Sequence, residues 1–97
     1  MTEEQRVVVT GIGAVSSVGS TVSSMWEALL EGKSGIVPVT EYDASDMRCR
    51  IAGEVRGADI QQFLSRKEAR RLDTFCHYAV IAAEEALGQS GVDLERA

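Results

Sequence analysis

The sequence predicts an α/β chain, and three stretches carry that prediction. Arg6-Val-Val-Val-Thr10 is a β-branched run that stops at Gly11. Val22, Met25, Trp26, Leu29 and Leu30 recur at three- and four-residue spacing, and an alanine-rich stretch runs from Thr74 to about Gln89 before Gly91. The first run is continuous rather than alternating, which is the pattern of a strand covered on both faces, as in a parallel sheet. Such a strand requires neighbours.

The elements follow in chain order. After the strand, Gly11-Ile-Gly-Ala-Val-Ser-Ser-Val-Gly19 is a loop of small residues, and Ser20 or Thr21 can cap the helix it leads into. That helix should span about Val22 to Glu31, because its apolar residues share one face and Gly32 stands at the stop. Lys33 to Asp46 has Gly, Pro, Asp and Ser at turn-forming positions and little helical period, so it reads as an irregular crossing loop. From Met47 to Val55 the apolar residues Met47, Cys49, Ile51 and Val55 alternate with Arg48, Arg50 and Glu54, the pattern of a half-exposed strand with Cys49 facing inward. Ser65-Arg-Lys-Glu68 fits a capping box, in which hydroxyl and carboxylate satisfy the first unpaired NH groups of a second helix. Asp73 can cap a third, which Gly91 closes; Gly88 inside it costs about 1 kcal/mol relative to alanine.

Composition sets bounds on function. The 97 residues, 44% hydrophobic and 26% charged, have room for one small unit with a modest core. No apolar stretch approaches the roughly 20 residues that cross a bilayer, and the polar, acidic start is unlike a secretory signal, so a cytoplasmic protein is expected, without membrane contact. A net charge of −5 argues against nucleic acid as a partner, since phosphate neutralisation needs a basic surface. Cys49 and Cys76 lack CxxC spacing, and with His77 as the single histidine they make no metal site, so structural thiols fit best and no metal or cofactor is expected.

Three features invite a chemical reading. Gly11-Ile-Gly13 after a strand opens like a dinucleotide-binding turn, but the third glycine is missing, and the acidic residue expected about 20 positions on would be Glu31, at a helix end. The alternative is a tight strand-to-helix turn in which a side chain would collide. Cys76 with His77 suggests a nucleophile and its base. Neighbours on a helix point about 100° apart, however, and the thiol falls about a turn inside the third helix between bulky residues, so Cys76 reads as structural and His77 as a surface or interface residue. The third feature is charge. Four of the 10 Lys and Arg residues fall within Arg66 to Arg71, and at about 100° per residue Arg66, Lys67, Arg70 and Arg71 occupy an arc of about 140° on one helix face. Most such runs are simply solvated.

Five segments in order resemble the β-ketoacyl-[acyl carrier protein] synthases of the type II kind, the condensing enzymes of fatty acid synthesis. They are Arg6 to Gly19, Trp26-Glu-Ala-Leu-Leu-Glu-Gly-Lys-Ser-Gly-Ile36, Ile51-Ala-Gly53, Ser65-Arg-Lys-Glu-Ala-Arg-Arg-Leu-Asp73 and Ala86 to Gly91. Ser17 departs from the pattern, since the family usually has proline there. The resemblance implies that residues 1–97 are the first, incomplete part of the synthase N-terminal domain, within a thiolase-like fold layered α-β-α-β-α and commonly paired as a homodimer.

The family's reaction is a decarboxylative Claisen condensation at a cysteine and two histidines, which the resemblance places beyond Ala97. This chain would then hold no catalytic residue and be inactive alone. Asp73-Thr-Phe-Cys76 echoes the sequence around the family's nucleophile but matches an upstream part of the family. Lys67, Arg70 and Arg71 match the basic face that receives acyl carrier protein, a small acidic partner with a phosphopantetheine arm. A noncatalytic homologue of the chain-length-factor type would share this region, and a dinucleotide-binding module is the remaining alternative.

Overall fold

In the computed structural model, which describes residues 4–96, helix α1 spans Val22–Glu31, the bounds its sequence signals give. Thr21 is the cap: its hydroxyl accepts from the Ser24 amide at 3.1 Å, and the Ser24 hydroxyl accepts from the Thr21 amide at 3.1 Å. Gly32 ends the helix in the left-handed region at φ 73°, where a side chain would be strained. Helix α2 (Arg66–Arg70) is capped by Ser65, whose hydroxyl accepts from the Glu68 amide at 3.2 Å. The Ser65 hydroxyl donates to the Glu68 carboxylate at 2.9 Å, so this half of the expected box closes side chain to side chain. Helix α3 (Thr74–Ser90) continues through Gly88 and is closed by Gly91. Asp73 occupies its cap position, but the side chain makes no capping bond.

The strands depart from the sequence expectation. The crossing loop contains strand β1 (Ile36–Pro38), which pairs antiparallel with β2 (Ile51–Gly53) in the register Ile36–Gly53, Val37–Ala52, Pro38–Ile51. Its signal was hidden because the three residues Ile36–Pro38 acquire strand character only from a partner far along the chain. The strand expected over Met47–Val55 contracts to β2, since the Met47 amide bonds the Ala44 carbonyl at 2.9 Å and turns the chain there. The inward face is also reversed. Cys49 and Ile51 are exposed, while Glu54 is buried at 8% exposure. A short 3-10 helix, Ile60–Gln62, with Asp59 as its cap, leads into α2.

Arg6–Thr10 does not form the expected strand. It is unpaired among the described residues and open to solvent, with Val7 98% exposed. The physical reason is that no described segment lies alongside to complete a ladder. Helix α1 likewise buries only Ala28, leaving Trp26, Leu29 and Leu30 exposed. The radius of gyration is 17.7 Å, against about 13 Å for a closed domain of this length. The shape is therefore open.

One junction is tight. Gly11 and Gly13 lie so close to α3 that a Cβ at either would run into a backbone carbonyl oxygen, of Ala86 and Ala82 respectively. The amide of Ile12 donates to Gln89 Oε1 at 2.7 Å and that of Ala14 to Glu85 Oε1 at 3.0 Å. The loop thus runs antiparallel to the helix. Two extended residues advance about 6.6 Å and four helical residues about 6 Å, so the contacts keep step. Ala82, Glu85, Ala86 and Gln89 form one face of α3 by their spacing. Glu85 reaches further, accepting from the first amide of α1, at Val22, at 3.2 and 3.1 Å, where a negative charge meets the positive end of the helix.

Candidate functional site

The basic residues stand on a helix of five residues and its C-terminal cap, with Lys67, Arg70 and Arg71 all exposed. The two ion pairs among the described residues are Lys33–Glu31 and Arg96–Asp93. No described carboxylate therefore neutralises the cations of α2. The structure divides them into two groups. Arg66 and Arg70, one turn apart, line a surface depression of about 480 Å³ with Ile60, Gln61, Ala69 and His77. Lys67 and Arg71 lie outside that lining and face solvent. What the arrangement offers is an unneutralised cationic surface beside a shallow hollow, suited to anionic groups on a partner.

His77 is half-buried, and its Nε2 lies 2.8 Å from the carbonyl oxygen of Ala69, joining the start of α3 to α2. Among the described residues no hydrogen bond joins its ring to the Cys76 thiol. Cys76 is half-buried in the first turn of α3, its amide bonded to the Asp73 carbonyl at 3.0 Å. Cys76 is the third residue of α3, nearer the helix start than the sequence reading placed it.

The glycine loop is committed to α3. Its Ile12 and Ala14 amides, which a phosphate would need, are taken by Gln89 and Glu85, and the Glu85 carboxylate would repel an anion. The alternative of a turn where side chains collide describes it better. Among the described residues, no group of three or more metal-ligating side chains comes together, and no helix is long and apolar enough to cross a membrane.

Glu54 is a feature that sequence reading missed. Its carboxylate accepts from the Thr40 amide at 2.6 Å and the Thr40 hydroxyl at 2.7 Å, tying β2 to the end of β1. The Thr40 hydroxyl, then the Thr40 amide, hold its carboxyl below the ordinary glutamate value, with smaller help from the Glu41 amide and Arg56. Glu85 and Gln89 were missed as well. Their only sequence signal is that they share a helix face with Ala82 and Ala86.

Comparison with known proteins places this geometry. A family model for the beta-ketoacyl synthase N-terminal domain matches residues 4–97. The 3-oxoacyl-[acyl-carrier-protein] synthase 2 of Synechocystis sp. is 51% identical over 88 residues, covering 91% of this chain and 21% of the relative. The protein of the same name from Vibrio cholerae is 46% identical over 91 residues, covering 94% and 22%. Among solved structures, the ishigamide ketosynthase/chain length factor superposes with a TM-score of 0.80 at 28% identity, over 91% of this chain and 22% of that one. The chain thus spans about a fifth of the length of the curated relatives it matches. With the family model for the N-terminal domain matching residues 4–97, the likeness read from Arg6–Gly19 and Ser65–Asp73 is one of membership: this chain belongs to the beta-ketoacyl synthase family.

Proposed function

We propose that this chain is the first part of a condensing enzyme that lengthens carrier-bound acyl chains, and that its own contribution is the face on which acyl carrier protein docks. The observation that carries the second claim is the exposed, unneutralised set Lys67, Arg70 and Arg71 on α2. The names and identities of the relatives support the first.

In the reaction, a cysteine thiol takes the acyl group from the carrier thioester, releasing the carrier's phosphopantetheine thiol. Malonyl-carrier then loses carbon dioxide, and the resulting carbanion attacks the acyl thioester carbon, expelling the cysteine thiolate. Two histidines assist decarboxylation and stabilise the developing oxyanion. This chain contains one histidine, committed to Ala69, so that centre cannot be built from these residues alone. No condensation activity is expected from the chain by itself. The complete protein is proposed to be a cytoplasmic homodimer within a thiolase-like α-β-α-β-α fold.

The docking claim is tested by replacing Lys67, Arg70 and Arg71 together with Ala in the complete protein and titrating acyl carrier protein at several salt concentrations. A loss of affinity of tenfold or more with a flatter salt dependence is expected. Unchanged affinity and slope would reject it. The likeness to a ketosynthase/chain length factor favours a second reading, a noncatalytic partner subunit. A condensation assay on the complete protein, with the cysteine downstream as the deciding residue, separates the two.

A further inference from the structure

We propose that His77 is the positioning residue that sets the orientation of the docking helix, an inference that rests on the carrier-docking reading of α2. A helix of five residues is far below the roughly 12–15 that hold together alone in water, so its orientation must be imposed from outside. Among the described residues, the bond from His77 to Ala69 is the one side-chain hydrogen bond that joins α2 to another element; the Ser65–Glu68 bonds are internal to its own cap. Its geometry fixes its chemistry. A carbonyl only accepts, so Nε2 carries the proton and donates at 2.8 Å. Ala69 lies in the last turn of α2, where carbonyls lack partners along the helix, and the same oxygen also accepts from the Leu72 amide at 3.3 Å.

The position of this bond matters for recognition. Ala69 directly precedes Arg70, and His77, Arg66 and Arg70 line the same depression. Holding the Ala69 carbonyl fixes the rotation of α2 about its axis. A slip of one residue would swing its cations by about 100°, away from the arc they share. Helix α3 supplies the rigid base, since its Glu85 and Gln89 are themselves bound to the glycine loop.

The test uses the complete protein with two variants, His77→Leu, which removes the donor, and His77→Gln, which restores an N–H at similar reach. In His77→Leu, amide exchange at Ala69–Leu72 should quicken about tenfold and carrier affinity should fall several-fold. The salt slope should be unchanged, because every cation remains. His77→Gln should recover both slow exchange and affinity, which a merely space-filling role would not predict. Unaltered exchange in His77→Leu overturns the inference. So does unaltered carrier affinity in His77→Leu when the Lys67, Arg70 and Arg71 triple-alanine variant binds weakly. If the triple variant binds normally, the docking reading fails, and this inference falls with it.

Discussion

Glu85 shows how one side chain can organise three segments. Its carboxylate receives the Ala14 and Val22 amides, so Glu85→Ala would leave both donors without a partner. The expected loss is about 2 kcal/mol, seen as roughly thirtyfold faster amide exchange at Ala14 and Val22 in the complete protein. Gly13→Ala acts on the same junction by collision with the Ala82 carbonyl, at a cost of about 1–3 kcal/mol, measurable as a lower thermal midpoint. Glu54 makes a pH-dependent link. Because its folded value is depressed, its stabilisation is complete above the ordinary glutamate range and is lost as pH falls through the lowered value. Exchange at the Thr40 amide should therefore quicken only in that acid window, and Glu54→Gln should abolish this pH dependence. The collision at Gly11 and Gly13 was legible in the sequence, since few other reasons place two glycines around one residue after a strand-like run. Glu85 was not. A glutamate on a helix is ordinarily solvated, and only the fold reveals which amides lie across from it.

At the scale of elements, legibility follows the range of the forces involved. Helix α1 was readable to the residue because its cap, apolar spacing and stop signal all lie within a dozen positions. Strand β1 was not, because its character is conferred by β2, which follows it from Ile51. The alternation from Met47 to Val55 gave the wrong inward face because the Ala44–Met47 turn breaks it, and because Thr40 gives Glu54 a partner that makes its burial tolerable. The cationic arc on α2 was legible from spacing alone, whereas its tether through His77 needed the packing of α3. Helix α2 also depends on its cap. Ser65→Ala should cost about 1 kcal/mol locally, raising amide exchange across Arg66–Arg70 and weakening carrier binding by a few-fold without flattening its salt dependence.

For the molecule as a whole, the exposed valines of Arg6–Thr10 and the bare face of α1 amount to a core with one side open. The chain by itself should melt broadly rather than cooperatively by circular dichroism, and it should associate as concentration rises. Val8→Lys should keep the isolated chain monomeric in sedimentation, yet the same change should prevent soluble expression of the complete protein, where this run is expected to be covered. The step between the glycine loop and α3 bears on how the segment can vary over evolutionary time. Inserting or deleting a single residue between Gly11 and Ala14 exchanges the loop's two sides, presenting side chains to the Ala82 and Ala86 carbonyls and carrying the amides away from Glu85 and Gln89. Substitutions there can be absorbed one at a time, but a change of length cannot.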